Sequence, residues 1–175
     1  MAKAFLLDRD GTINVDTDYL MSPEQVVLLE GVGEAIHKLR EAGYLAIVIS
    51  NQSGVARGYG TEEDVAQVNQ RINELLRQYQ TKIDAFYYCP HHPEAKIAEY
   101  RMDCQCRKPK TGLFERAIRE YHLEPGQCVA VGDKERDVIN VNRLGIVKTA
   151  HIGDGDNCNF RTLLDCVNFY LGGSL

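Results

Sequence analysis

Long apolar stretches are missing from this sequence. The first, Ala4 to Leu7, is cut off at once by Asp8, Arg9 and Asp10. It falls far short of the roughly 20 residues of a membrane span and of the apolar core of a secretory signal. A soluble cytoplasmic protein without a membrane partner is therefore expected. Basic runs are missing too. Net charge is −5 and only 8% of residues are aromatic, which removes the electrostatic footprint of a nucleic-acid binder. Internal repeats and low-complexity segments are absent, and no long apolar face is left over, so a monomer is expected.

Cysteine is not scarce: six occur, at 89, 104, 106, 128, 158 and 166. Disulfides would need an oxidising compartment, and nothing here exports the chain, so metal binding or catalysis has to be considered instead. Cys128 lies inside the apolar run Cys128 to Val131 and reads as a small core residue. Cys158 and Cys166 carry no signal.

A chain of 175 residues, 44% hydrophobic and 26% charged, can fill one core. One domain over 1–175 is the expectation. Short apolar runs ending at turn or acidic residues alternate with amphipathic stretches, the pattern of an α/β fold with a mainly parallel sheet. Strands are expected at Ala4–Leu7, Leu45–Ile49, Ala85–Tyr88, Cys128–Val131 and Val147–Ala150. One helix carries Val32, Ala35, Ile36 and Leu39 on one face and stops near Gly43. A second opens at Thr61-Glu-Glu-Asp64, close to a capping box, and repeats Val65, Val68, Ile72, Leu75, Leu76 and Tyr79. These stripes read as core faces. Further helices are expected over Leu113–Tyr121, from Asp133 to Leu144, and over Arg161–Leu171.

Three stretches break the alternation: Gly11–Gly31, Ser50–Gly60 and Cys89–Thr111. Each leaves the carboxyl end of a strand, where doubly wound sheets bind their ligands.

Asp8-Arg9-Asp10-Gly11-Thr12 follows the first strand. Side chains alternate along extended chain, so Asp8 and Asp10 can meet at one point while Arg9 turns away. Pairing pushes two carboxyl pKa values apart, which suits a nucleophile, Asp8, and a general acid, Asp10. Alone, such a pair is a common solvated turn. After the second strand, the Ser50 hydroxyl can donate to a phosphoryl oxygen, although Ser50-Asn51-Gln52-Ser53 alone is an ordinary polar turn. Arg107 and Lys108 precede a proline that favours extended backbone, and supply a forked donor and a compact charge. The bland alternative is a solvated basic pair. The fourth strand ends Gly132-Asp133-Lys134, with Asp137 further on. Jointly, four strand ends carry a carboxylate pair, a hydroxyl, a lysine and another carboxylate, the parts of a phosphoryl transfer. A hard divalent ion, magnesium, would be held by Asp8, Asp133 and a backbone oxygen at Asp10.

Cys89-Pro90-His91 and Cys104-Gln105-Cys106 offer three thiolates and an imidazole, one tetrahedral zinc site. Zinc would staple a loop, 89–108, with little apolar content and fix Arg107 and Lys108. His92 could stand in for His91. His37, His122 and His151 have no partner in sequence and read as surface or structural.

The ordered set D-x-D-G-T, Ser50, Lys108 and G-D-K-x-x-D resembles the haloacid dehalogenase superfamily from Ala4 to beyond Gly145. The resemblance implies a Rossmann-like three-layer sheet of order 5-4-1-2-3 without a large cap domain, an aspartyl-phosphate intermediate and magnesium. It gives Asp8 the role of nucleophile, Asp10 that of acid and base, Ser50 and Lys108 phosphoryl binding, and Asp8, Asp10 and Asp133 the metal.

Within the superfamily, L-D-R-D-G-T-I-N, N-Q-S-G-V-A-R-G, Y-Y-C-P-H-H-P, C-x-C-R-K-P and G-D-K resemble the heptose bisphosphate phosphatases, whose substrate is a small sugar bisphosphate. This implies substrate contacts at Arg9 within the D-R-D run, Asp16, Thr17, Asp18, Tyr19, Ser50, Asn51, Gln52, Ser53, Arg107, Lys108 and Lys134. Histidinol-phosphate phosphatases share the catalytic set, but their usual asparagine-glutamine-aspartate-glycine loop differs from Asn51-Gln52-Ser53-Gly54. A phospho-receiver module would need its acceptor Asp after the third strand, where Tyr87-Tyr88-Cys89-Pro90 stands.

Overall fold

Phe5 and Leu7 pack into one apolar cluster, while Ala4 and Leu6, their neighbours in sequence, pack into another. This two-residue period marks a strand buried on both faces, as parallel sheets require. The structure, a computed structural model, describes residues 1–172. The end of the expected 1–175 domain and the second glycine of the closing Gly-Gly lie outside the described residues.

Five strands form the sheet: β1 (Lys3–Leu7), β2 (Tyr44–Asn51), β3 (Ala85–Cys89), β4 (Val129–Gly132) and β5 (Lys148–His151). Their order is β3-β2-β1-β4-β5 and every pairing is parallel. Four helices flank them: α1 (Val32–Glu41), α2 (Glu62–Leu76), α3 (Gly112–Glu120) and α4 (Leu163–Tyr170). The apolar faces of α1, α2 and α4 cover one side of the sheet. On the other, α3 packs with Leu123, Val141 and Ile146. The result is the expected three-layer α/β architecture. No helix among the described residues is long and apolar enough to cross a membrane.

Helix starts follow their caps. Thr61 Oγ1 accepts from Asp64 N at 3.2 Å while Thr61 N donates to Asp64 Oδ2 at 2.7 Å, the reciprocal box that opens α2. Thr162 and Asp165 open α4 in the same way, which moves its start two residues beyond the expected Arg161. Cys166, silent in sequence, is wholly buried on α4.

Two expectations are corrected. The stretch from Asp133 to Leu144 forms no α-helix, only short 3-10 turns at Glu135–Asp137 and Val141–Leu144. The β-branched Val138, Ile139 and Val141 disfavour helix, and Asn140 Nδ2 is drawn off to donate to Pro109 O at 2.9 Å. Tyr79, read on the core stripe of α2, lies in a 3-10 turn after that helix and is 43% exposed.

Candidate active site

The carboxyl ends of β1, β2, β3 and β4 lead into one cavity of about 330 Å³, walled by four aspartates, Asp8, Asp10, Asp16 and Asp18, and five cations, Arg57, Arg107, Lys108, Lys134 and Arg136.

Its floor is built on β1 and β4. Asp8 N donates to Val131 O at 2.9 Å, which seats Asp8 beside the end of β4. Asp8, Asp133 and Asp137 present carboxylate oxygens within 4.8 Å of one another. Two glycines allow this crowding. A Cβ on Gly11, whose φ is +82°, would lie 2.4 Å from Asp133 Oδ2, and a Cβ on Gly132 would lie 2.3 Å from the Asp137 Cβ.

Lys108 is the buried counter-charge, 2% exposed. Its Nζ donates to Asp8 Oδ1 at 2.7 Å and to Ile49 O at 2.6 Å. It also stands 2.7 Å from Asp137 Oδ1, an ion pair off the hydrogen-bonding angle, so that oxygen stays unpartnered as a hydrogen-bond acceptor. Burial pushes the Asp8 carboxyl up to about 7, against the opposing pull of Lys108. Asp133 is raised too, burial outweighing Lys134.

Lys108 and, 3.6 Å from Asp133 Oδ2, Lys134 leave the three carboxylates short of one positive charge, and among the described residues Asp133 Oδ1 is buried with no hydrogen-bond partner. Such a donor set, all oxygen and short of positive charge, fits a hard divalent cation. Asp137, which carried no role in the sequence reading beyond the G-D-K-x-x-D spacing, completes this cluster. The Asp10 side chain does not join it. Its two oxygens are taken by Arg9 Nη2 at 3.1 Å to each, Asn14 Nδ2 at 2.9 Å and Gln52 Nε2 at 2.8 Å. His151 Nε2 lies 2.6 Å from Asp133 O, which ties the end of β5 to this corner.

Other expected contacts divide. Asp16, Asp18, Tyr19, Asn51, Gln52, Ser53, Arg107 and Lys134 line the cavity, and Thr17 does not. Ser50 lies beneath the wall, 2% exposed, with its Oγ accepting from Gln52 Nε2 at 2.7 Å. Arg9 is corrected: at 1% exposure its guanidinium points into the protein, toward Asn69, Gln52 and Asp10, and cannot reach a ligand in the cavity. Asn51 holds both backbone groups of Lys108, donating to its O at 3.1 Å and accepting from its N at 2.9 Å. Lys134 pairs with Asp16 at 3.0 Å. Burial acts to raise Asp16, but this partner wins and holds it below its usual range.

Arg57 and Arg136 on the wall were missed. The basic residue inside Gly54-Val-Ala-Arg57-Gly58 was a signal for the first, and nothing marked the second. Among the described residues, Arg57, Arg107 and Arg136 form no ion pair. Burial holds Arg107 below its usual range, and both neighbouring guanidiniums push the same way. The three converge where an anion would relieve them.

Beside the cavity, Cys89, His91, Cys104 and Cys106 gather as the spacing suggested. Their Sγ–Sγ separations are 3.4, 3.0 and 3.1 Å, and His91 Nδ1 lies 3.3 Å from Cys106 Sγ. Zinc–sulfur bonds of about 2.3 Å in a tetrahedron need edges near 3.8 Å, so small outward shifts admit the ion, and three thiols with an imidazole suit zinc. Burial acts to raise Cys104, but contacts from Cys106 and Cys89 bring it down to about 7. Burial pushes Cys89 up, so its thiolate needs a cation. His92 is excluded from the set, its Nδ1 accepting from Glu94 N at 3.1 Å. Arg107 Nη1 reaches His91 O at 3.4 Å, joining the cluster to the cavity wall.

The family described as polynucleotide kinase 3 phosphatase matches residues 5–152. The chain belongs to this family of haloacid dehalogenase-type phosphatases. A solved structure titled D,D-heptose 1,7-bisphosphate phosphatase from B. bronchiseptica, complexed with magnesium and phosphate, superposes with a TM-score of 0.83. It is 26% identical, over 99% of this chain and 100% of that one. In sequence, the present chain is 41% identical over 145 residues to the D-glycero-beta-D-manno-heptose-1,7-bisphosphate 7-phosphatase of Haemophilus ducreyi (82% of this chain, 79% of that one). The Burkholderia mallei protein named for the alpha anomer is 35% identical over 165 residues, 94% of this chain and 87% of that one.

Proposed function

We propose that this haloacid dehalogenase-type phosphatase hydrolyses the C7 phosphate of D-glycero-D-manno-heptose 1,7-bisphosphate, with magnesium at Asp8, Asp133 and Asp137 and zinc in the 89–108 loop. The observation that carries the reading is one cavity with a buried Asp8–Lys108 pair on its floor and, on its wall, three guanidiniums that form no ion pair among the described residues. A monoester needs the first, and a substrate that keeps a second phosphate needs the second. The sugar itself comes from the relatives' names, and the 40–42% identity of the beta-named Haemophilus, Pasteurella and Vibrio proteins supports the beta anomer.

Bound magnesium would screen the negative charge of nucleophile and phosphate as they approach. An Asp8 oxygen forms a bond to phosphorus as the ester P–O bond breaks, giving an aspartyl-phosphate. Asp10 donates its proton to the departing alkoxide and then takes one from the water that attacks the acyl-phosphate. Lys108 holds Asp8 and meets the transferring phosphoryl group, while the Ser50 hydroxyl, already accepting from Gln52, keeps its own proton for a phosphoryl oxygen. Arg57, Arg107, Arg136 and Lys134 hold the retained phosphate, and Asp16, Asp18 and Tyr19 face the sugar. The whole chain is read as one phosphatase domain working in the cytoplasm as a monomer without a nucleic-acid partner.

The test is phosphate release from the beta and alpha heptose bisphosphates, heptose 7-phosphate and histidinol phosphate, each with magnesium. The highest kcat/KM is expected on the beta bisphosphate. Higher efficiency on histidinol phosphate would overturn the assignment.

A further inference from the structure

Arg9 is withdrawn from solvent directly beneath Asp10, and a buried guanidinium destabilises the fold unless its donors are met. Two nitrogens face the Asp10 carboxylate. The other acceptors are neutral: Gln52 Oε1 at 3.1 Å and Asn69 Oδ1 at 3.2 Å. Asn69 comes from α2, none of whose residues line the cavity. It is 8% exposed and shares the buried face of Val65, Val68, Ile72 and Leu76. An apolar side chain at this position would add hydrophobic burial, so the amide is accounted for by the guanidinium it meets. The planar Arg9 fork is thereby pinned at one end by α2 and at the other by Asp10.

We propose that Asn69 is a positioning residue for proton transfer: acting through Arg9, it fixes the plane in which the Asp10 carboxyl faces the leaving oxygen. The inference rests on the phosphatase reading and on Asp10 as the acid. In the first half-reaction the ester P–O bond breaks, its electron pair stays on the leaving oxygen, and the Asp10 proton moves there. An alkoxide needs that proton, whereas 4-nitrophenolate departs without it. Disorder in Asp10 should therefore slow alkyl esters selectively.

The experiment measures kcat/KM, which reports only the steps up to aspartyl-phosphate formation and so leaves out the later water attack that uses Asp10 as base on either ester, on the heptose bisphosphate and on 4-nitrophenyl phosphate for wild type, Asn69→Leu and Asn69→Asp, with and without Asp10→Asn. Asn69→Leu is expected to lower kcat/KM for the sugar ester about tenfold and leave that for the aryl ester within about twofold. Asn69→Asp, which retains the acceptor oxygen, is expected to recover most of the loss, and Asn69→Leu should add nothing in the Asp10→Asn background. Equal loss on both esters, or a loss that persists without Asp10, overturns the proposal. If Asn69→Leu does not fold, Asn69→Ser carries the same comparison. Wild type that cleaves another sugar phosphate but not the heptose ester counts against the substrate alone, and the ratio is then read on the ester that is cleaved.

Discussion

Lys108 Nζ donates to Asp8 Oδ1 at 2.7 Å from a position where neither side chain meets bulk water, their exposures being 1% and 9%. The lysine arrives from 100 residues away, steadied by the two backbone bonds from Asn51. Removing one member of a buried ion pair strands the other, at about 3–5 kcal/mol. Lys108→Met should therefore lower thermal stability in metal-free buffer and reduce phosphate release by at least about a hundredfold. Added magnesium should restore much of the stability and little of the activity. Unchanged melting in chelator would contradict the geometry.

Asp8 also sets a pH dependence. Burial raises its folded value to about 7 from 3.8. Between those values the folded chain holds a proton that the unfolded chain has lost. Metal-free stability should thus be full below the lower value and fall as pH climbs toward 7, by up to about 1.4 kcal/mol per pH unit. Magnesium competes with that proton, so its affinity should tighten over the same range. Calorimetric titration at several pH values reads both, and an affinity flat across this window would refute the assignment of Asp8 as a ligand.

The four strand ends were legible because each apolar run stops at a chemistry-bearing residue, and a parallel sheet gathers such ends on one edge. The zinc set was legible because its ligands come as two close pairs. What could not be read was long-range partnership. Strand alternation already pointed Arg9 away from the site, against the substrate contact that the resemblance implied, but only the fold reveals that Asn69 and Gln52 wait beneath it. Asn69 itself interrupts an apolar stripe, a signal visible in the sequence. Arg136 had none, because the stretch that bears it makes turns where an α-helix was expected.

Stripping zinc should act through the loop that carries Lys108. Cys104 and Cys106 lie within four residues of Lys108, and nothing apolar would replace their ligation. Cys106→Ser, or prolonged chelation, should release zinc, abolish most phosphatase activity and leave the parallel sheet folded. Metal analysis with far-ultraviolet circular dichroism separates these effects, and full activity in a zinc-free chain would show that the loop orders itself.

Among the described residues, Arg57, Arg107 and Arg136 stand free of carboxylate partners around the cavity mouth, and a retained phosphate is the ligand that would use them. Each charge-assisted contact to phosphate is worth about 1.5–3 kcal/mol, or roughly ten- to a hundredfold in affinity. Such contacts hold ground state and transition state alike, so Arg57→Ala and Arg136→Ala should raise KM for the heptose bisphosphate by about that factor with kcat little changed. Heptose 7-phosphate lacks the second anion, and its KM should hardly move. An equal rise for both substrates would place these arginines on the reacting phosphate and leave the bisphosphate preference without a physical basis.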